Sequence, residues 1–231
     1  MLTAVCFWWT DPAVKHKPRY RYTVRDVEIR RDALRRHLTV PYEFVCVTDR
    51  PDQVPEGARA VELDHKVFAP GTRYAKLMLF RRDIASVLGE RLFYLDLDAA
   101  IVRNIDGIVS REDPLVMLRN VNFGQPRRTF FDTGMLLLSA GVRPDIYEHF
   151  NAQHDQRRRE DGITTTDQWW ISHCVSPANA AWPEGSGVYN ASRLDGGCLP
   201  GDARIVLFPG KRHLSWTETQ EVYPWLQEHY R

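Results

Sequence analysis

Apolar and polar positions along the chain repeat with two different periods. Short runs of mostly apolar residues predict buried strands at 2–9, 42–48, 58–63, 91–94, 114–118, 134–138, 188–190 and 204–208. Apolar residues spaced by three or four positions predict helices at 22–38, 73–88, 144–159, 166–175 and 219–230. Strands and helices alternate over the first part of the chain. This pattern is typical of an α/β fold with a mostly parallel sheet, in which ligands bind at the carboxyl ends of the strands.

Two aspartates follow the predicted strand at 91–94, inside a run that otherwise has the composition of a buried strand. The stretch RLFYLDLDAAIVRNI at 91–105 places Asp96 and Asp98 two positions apart, so that both carboxylates project to one side of the strand. An ionised carboxylate removed from water costs several kcal/mol unless a cation or several donors compensate it. The pair therefore favours a divalent metal site, with Mg²⁺ or Mn²⁺ as the ion and an added imidazole favouring Mn²⁺. The structural alternative is that the aspartates cap a turn or pair with arginines.

Length, charge and cysteine usage limit the function classes. The 231 residues contain no repeat and no Gly/Ser-rich linker, which predicts a single domain over residues 1–231. With 31 Lys and Arg against 30 Asp and Glu, the net charge of +1 argues against nucleic acid as a partner. The basic cluster at 157–159 is interpreted as a solvated helix face. Cys6, Cys46, Cys174 and Cys198 lack CxxC spacing.

The same features predict a cytoplasmic protein. Residues 1–12 lack the basic flank and cleavage site of a signal peptide and are interpreted as the first strand. No apolar run is long enough to cross a bilayer, although peripheral contact with a membrane stays open. Cysteines in apolar, strand-like runs usually pack as small hydrophobic residues. A reducing compartment is the simplest context for them.

Five motifs follow one another in an order that resembles a known enzyme family. They are YAKLMLF at 74–80, FYLDLDAAIVRNIDGI at 93–108, FDTGMLLLS at 131–139, TTDQWWIS at 165–172 and HLSW at 213–216. Together they resemble the family-eight glycosyltransferases, which include glycogenin and bacterial galactosyl- and glucosyltransferases. The resemblance implies a GT-A fold. It also implies Mn²⁺-dependent transfer of a hexose from a UDP-sugar, with retention of anomeric configuration.

The resemblance also implies a role for individual residues. It implies a metal site made of Asp96, Asp98 and His213. It implies a nucleotide-sugar site made of Trp9, Thr10, Asp11, Lys76, Asp96 and Leu97, to which Lys211 is added as a candidate. It implies that Asp132, Asp167 and Gln168 surround the transferring sugar and are catalytic. Retention then uses either a covalent intermediate on Asp132 or Asp167, or attack from the leaving-group face.

The chain departs from the family at two places. Asp132 stands where the family usually has asparagine, which adds a negative charge beside the sugar and leaves the identity of the sugar open. The late motif continues as TETQ, without the family's glycine and its lysine that reaches the diphosphate. Lys211 and Arg212, just before His213, are the candidates to replace that lysine.

Several of these residues have simpler structural interpretations. Asp167 is a good helix N-cap, as are Thr165 and Thr166. Trp169 and Trp170 are interpreted as core residues, with a wall of the acceptor cleft as the alternative. Lys76 is alternatively an ordinary lysine of a helix face that extends to water, and Gln168 a solvent-facing residue in the first turn of its helix.

Two other functions stay open at this point. A sugar nucleotidyltransferase normally has a Gly-rich loop after the first strand, whereas TDPAVKHKPRY contains no glycine. A catalytically silent module that binds a carbohydrate or a protein is the other alternative. The acceptor, whether a glycan, a lipid-linked sugar or a protein, cannot be read from the sequence, because acceptor specificity depends on variable loops.

Overall fold

The computed structural model describes residues 1–9, 22–62, 72–120, 129–151, 166–183, 185–210 and 213–231. The strands within these ranges, numbered along the chain, are β1 (Leu2–Trp8), β2 (Tyr42–Thr48), β3 (Arg59–Glu62), β4 (Arg91–Leu95), β5 (Ala99–Ile101), β6 (Leu115–Arg119), β7 (Phe131–Ser139), β8 (Ala181–Trp182), β9 (Val188–Asn190) and β10 (Ile205–Leu207). The main sheet has the order β3-β2-β1-β4-β7-β6-β8, and a smaller sheet has the order β5-β10-β9.

The main sheet is parallel on one side and mixed on the other. β1 pairs in parallel with both β2 and β4, so that Val5 lies between Val45 and Tyr94. β7 runs antiparallel to β4 and to β6, with Leu95 opposite Met135. The carboxyl ends of β1 and β4 therefore meet the amino end of β7 at one edge of the sheet.

The α-helices in the described ranges are α1 (Val24–His37), α2 (Ala85–Leu88), α3 (Asp106–Val109), α4 (Asp145–Glu148), α5 (Asp167–Cys174), α6 (Thr217–Val222) and α7 (Leu226–His229). The longest, α1, begins with a capping box, in which Thr23 and Asp26 satisfy each other's backbone N–H groups. Among the described residues, the helices are all too short or too polar to span a bilayer.

Side chains from the two faces of β1 enter separate apolar layers. Ala4, Cys6 and Trp8 pack with residues of α1, whereas Val5 and Phe7 pack on the opposite face. Cys6 and Cys46 are adjacent in the register and fully buried, as expected for thiols packed as small hydrophobic residues. A third cluster fills the space between the smaller sheet and the C-terminal helices.

The predicted helix at 73–88 is wrong as one continuous element. The structure has a 3₁₀ helix at Thr72–Phe80 and, after a break, α2. Residues 74–80 are all buried, whereas an amphipathic α-helix buries only one face. Packing on all sides of this segment therefore determines its conformation, which is a 3₁₀ helix.

The helices predicted at 144–159 and 219–230 are also interrupted. α4 ends at Glu148, the chain is non-helical at Asn151, and 152–159 lie outside the described residues. The C-terminal prediction divides into α6 and α7 around Pro224, which has no N–H to donate inside a helix. The short elements β5, β8 and α3, each two to four residues long, were not predicted from the sequence.

Candidate functional site

Two predicted aspartates meet at the edge where β4 ends and β7 begins. β4 ends at Leu95, so that Asp96 and Asp98 lie in the turn after it and not within a strand as predicted. The backbone N–H of Asp96 donates to the carbonyl of Gly134 at 2.8 Å. Asp132 is the second residue of β7, and its Oδ1 accepts the N–H of Gly134 at 2.8 Å. The antiparallel pairing of β4 with β7 therefore places both carboxylates beside one glycine.

Gly134 provides the space that this arrangement needs. A Cβ at this position would lie 3.3 Å from Asp96 Oδ2, 3.2 Å from Asp132 Oδ1 and 2.7 Å from Leu207 Cδ2. The last distance is shorter than a real Cβ contact, and the first two are tighter than normal packing. A side chain at position 134 would therefore move both carboxylates.

Gly134→Ala is expected to lower the free energy of unfolding by about 1–3 kcal/mol, the range for overpacking. A urea titration measures this change, with Gly107→Ala as the matched control. A Cβ at Gly107 meets no atom within 4 Å, and alanine at this exposed helical position should be neutral or stabilising by up to about 1 kcal/mol. Equal stability of the two variants would contradict the packing argument.

Lys76 lies among the carboxylates. Its side chain is only 7% exposed, and Nζ lies 3.3 Å from Asp96 Oδ2 and 3.4 Å from Asp167 Oδ2. Nζ also donates to the carbonyl of Thr133 at 3.1 Å and lies 5.0 Å from the centroid of the Tyr94 ring. Burial by itself lowers the pKa of Lys76, but the nearby carboxylates outweigh burial and raise it. The lysine is therefore a fixed positive charge, unsuited to act as a base.

The pKa values of Asp96, Asp98 and Asp132 are all raised, because the nearby positive charge does not fully compensate these buried carboxyl groups. Burial raises the pKa of Asp96, and the negative charges of Asp167 and Asp132 add to this effect against Lys76 and the Tyr94 hydroxyl. The pKa of Asp98 is raised well above its ordinary value by burial and then by Asp96 and Asp132. Burial also raises the pKa of Asp132. Further positive charge at this edge of the sheet would lower these pKa values.

The His213 side chain faces α1 and the ring of Tyr22. Its Nε2 is 3.4 Å from Asp26 Oδ1, its Nδ1 accepts the N–H of Ser215 at 3.2 Å, and its ring stacks on Tyr22 at 4.8 Å. Burial raises the pKa of Tyr22, as does the charge of Asp98. Tyr22 therefore contacts His213 and is close enough to Asp98 to be affected by its charge.

The residues fit a divalent metal by their chemistry. In the part of the chain that the structure describes, no three His, Cys, Asp or Glu side chains are already grouped around one point. The carboxylates nevertheless supply the oxygen ligands that Mn²⁺ and Mg²⁺ prefer. Nε2 of His213 is buried without a hydrogen-bond partner among the described residues, and burial lowers the pKa of His213, which favours the neutral, metal-binding form.

Asp167 and Gln168 are the first two residues of α5, and the residue that caps this helix is Thr166. Thr166 is the N-cap, and its hydroxyl accepts the N–H of Trp169 at 3.2 Å. Asp167 instead turns to Lys76, while its Oδ1 accepts the N–H of Gln168 at 2.7 Å. Gln168 Nε2 donates to Thr129 Oγ1 at 2.7 Å. The interpretation of Asp167 as the N-cap is therefore wrong.

The remaining predicted residues are placed as follows. Trp9 follows β1, and its Nε1 is buried with no hydrogen-bond partner in the described ranges. Leu97 is 4% exposed and its side chain belongs to the core, so only its backbone is left to contact a nucleotide. Thr10, Asp11, Lys211 and Arg212 lie outside the described residues.

The two tryptophans of α5 have different surroundings. Trp170 packs against Phe150, and its indole N–H donates to the carbonyl of Ile146 at 2.7 Å, as a core residue would. Trp169 stacks on the exposed His173, with the rings 5.1 Å apart and inclined by 9°. Both indoles are half-buried, and Trp170 packs against the apolar layer that contains Val5 and Phe7, as the core interpretation predicts.

Two polar residues of α1 were missed by sequence reasoning. Asp26 and Arg30 are buried although they lie in a helix rich in charged residues. Both share a stripe with Val27, Ala33 and Leu34, at helical spacing on the buried face. That stripe was the available signal, but it was hidden by the number of charges around it.

Comparison with known proteins locates the fold. No protein-family model and no curated protein matches the sequence. Among solved structures, the chain is similar to a galactosyltransferase, LgtC, crystallised with donor and acceptor sugar analogues. The likeness has a TM-score of 0.66 and covers 99% of this chain and 96% of the other, at 10% sequence identity. The chain has the GT-A fold.

This result confirms the fold class predicted from the motifs. The match covers nearly all of both chains, so the sheet edge that carries Asp96 and Asp132 is part of the shared architecture. At 10% identity the likeness concerns the backbone arrangement. The roles of single side chains in this GT-A protein therefore depend on their own geometry.

Proposed function

We propose that the protein is a metal-dependent glycosyltransferase that moves a hexose from a nucleotide sugar, with UDP-sugar as the donor and retention of configuration. The observation that carries the proposal is the group of carboxylates around Lys76 at the carboxyl edge of a GT-A sheet. The similar galactosyltransferase was crystallised with donor and acceptor sugar analogues, which supports a sugar donor here.

Asp96 and Asp98 would hold the metal, with His213 as the candidate imidazole ligand. A bound Mn²⁺ or Mg²⁺ would supply positive charge and Lewis acidity at the diphosphate of the donor. A bound cation would lower the raised pKa values of the two aspartates, which supports this assignment. The choice of Mn²⁺ follows from the imidazole.

Lys76, Asp167 and Gln168 would orient the donor sugar. Because the pKa of Lys76 is raised, its ammonium stays protonated and can donate to sugar or phosphate oxygens. Lys76 and the N–H of Gln168 each hold one oxygen of Asp167, which keeps that carboxylate in place to support positive charge at the anomeric carbon.

Asp132 has two roles compatible with its position. Its Oδ1 is held by the N–H of Gly134, and an ionised carboxylate only accepts hydrogen bonds. It would therefore select sugars that present hydroxyl donors at that point. A covalent route would use Asp132 or Asp167 as the nucleophile, whereas attack from the leaving-group face would leave both as electrostatic supports.

Calorimetric titration of UDP tests the proposal. We expect binding in the presence of Mn²⁺ with a dissociation constant between about 1 μM and 1 mM, the usual range of enzyme substrate affinities, and loss of binding in EDTA. Hydrolysis of UDP-galactose and UDP-glucose in Mn²⁺ then identifies the donor. A screen of glycan, lipid-linked and protein acceptors follows with that donor.

Three outcomes would contradict the proposal. UDP binding that is unchanged by EDTA would exclude the metal-dependent donor site. Pyrophosphate release from a nucleoside triphosphate and a sugar phosphate would indicate a nucleotidyltransferase. Equal thermal stability with and without Mn²⁺ and UDP, together with no turnover of any common nucleotide sugar, would favour a silent binding module.

A further inference from the structure

A buried arginine on α1 holds the turn that carries the two aspartates. Arg30 is 4% exposed, and its Nη2 donates to the carbonyl of Asp96 and to the carbonyl of Ala99, both at 2.7 Å. These two carbonyls lie on either side of Leu97 and Asp98. One guanidinium nitrogen thus bonds to both ends of the turn, across 66 and 69 positions of sequence.

The placement of this arginine is costly for stability. Its Nε and Nη1 are buried without a hydrogen-bond partner in the described ranges. Leaving a buried donor unsatisfied costs about 1–3 kcal/mol, and more when the group is charged. An apolar residue of similar size is often as stable as, or more stable than, a buried charge. A role beyond packing therefore accounts better for a guanidinium at this position.

The surroundings of Arg30 extend to the other end of the candidate metal site. One helical turn earlier, Asp26 accepts the hydroxyl of Tyr230 and faces His213 Nε2 at 3.4 Å. A cavity of about 10 Å³, room for about one water, is lined by Asp26, Arg30, Ala99 and Tyr230. A single face of α1 therefore contacts both the aspartate turn and the late histidine.

We propose that Arg30 is a positioning residue for the metal-binding turn. By holding the carbonyls of Asp96 and Ala99, it limits the backbone directions available to the turn and so directs the carboxylates of Asp96 and Asp98. The inference rests on the proposed function, because it gives the turn a metal to bind. Groups that orient metal ligands typically contribute about 10–100-fold to metal affinity.

Arg30→Lys and Arg91→Lys form a matched pair for the test. Arg91 also donates to two backbone carbonyls, those of Asp113 at 2.9 Å and Arg111 at 2.5 Å. It lies at the start of β4, whereas the aspartate turn follows the end of that strand. Lysine keeps the charge in both variants but lacks the planar guanidinium.

Two measurements apply to each variant. Hydrogen exchange of peptides covering 95–102, without metal, should become faster in Arg30→Lys and stay at the wild-type rate in Arg91→Lys. Mn²⁺ affinity, measured from the electron paramagnetic resonance signal of free Mn²⁺, should fall about tenfold or more only in Arg30→Lys. The Mn²⁺ concentration for half-maximal turnover should rise by the same factor, while kcat at saturating Mn²⁺ stays within about twofold.

The inference would be overturned if Arg30→Lys had the same hydrogen-exchange rate over 95–102 and the same Mn²⁺ affinity as the wild type. If Arg30→Lys does not fold, Arg30→Met replaces it, because an apolar side chain removes the unsatisfied donors and keeps most of the volume. A wild-type protein that binds no Mn²⁺ would instead contradict the proposed function. The exchange comparison distinguishes the two failures, because it contains no metal.

Discussion

Asp98→Asn is expected to weaken Mn²⁺-dependent UDP binding by more than about 100-fold and to make the metal-free protein more stable. The first effect follows because a direct ligand should matter more than the outer groups that orient it, whose loss already costs about 10–100-fold. The second follows because burial, Asp96 and Asp132 raise the pKa of Asp98, so that its ionised form is disfavoured in the fold. Asparagine removes that charge with little change in shape.

The pH dependence has a defined sign. A carboxyl whose pKa is raised on folding contributes stability below its ordinary pKa, about 3.9, and this stability is lost as the pH rises through the raised value. The advantage of Asp98→Asn in EDTA should therefore be absent at low pH and present at pH 7. Thermal unfolding at several pH values measures it.

Asp106→Asn is the control with the opposite sign. Hydrogen bonds from Asn104 and Thr39 lower the pKa of Asp106 to about 2. Its contribution to stability is present above the ordinary aspartate pKa and is lost as the pH falls through about 2. Asp106→Asn should therefore lower stability at pH 7 and leave Mn²⁺ affinity unchanged. Wild-type Mn²⁺ affinity in Asp98→Asn would exclude Asp98 as a ligand.

Lys76→Met is expected to lower the free energy of unfolding in EDTA by about 3 kcal/mol and to reduce kcat by roughly 100-fold or more. Removing one partner of a buried ion pair costs about 3–5 kcal/mol, and the lower end applies because the side chain of Asp96 is 31% exposed to water. The loss in kcat follows because methionine cannot hold Asp167 or donate to the donor sugar.

Two comparisons test whether the stability loss in Lys76→Met comes from uncompensated carboxylates: the effect of added Mn²⁺, and a variant that removes a surface ion pair. Since Mn²⁺ would compensate the carboxylates that lose Lys76, it should raise the melting temperature of Lys76→Met more than that of the wild type. Arg82→Met removes an exposed ion pair with Glu148 and should change stability by about 1 kcal/mol at most. Because the pKa of Lys76 is raised, its contribution should persist from neutral pH up to the ordinary lysine pKa of about 10.4, and it should weaken at low pH as its carboxylate partners are protonated. Equal stability of Lys76→Met and Arg82→Met would contradict this account.

The sequence by itself determined the principal strands, the longest helix and the fold class. The apolar run at 42–48 coincides with β2, and the predictions at 2–9 and 22–38 match β1 and α1 to within two residues. These elements were readable because each has one buried face or is fully buried, so local periodicity reports its packing. The order of five short motifs predicted the GT-A fold, which the structural match confirms.

Only the tertiary structure decided which polar groups meet. The antiparallel pairing of β7 places Asp132 and Gly134 beside Asp96, and the packing of α1 brings Arg30 to the same turn. The sequence could not show this, because strand pairing sets contacts between residues that are tens of positions apart. Local periodicity reports that a face is buried, whereas the partner of a buried charge depends on the three-dimensional arrangement of the whole site.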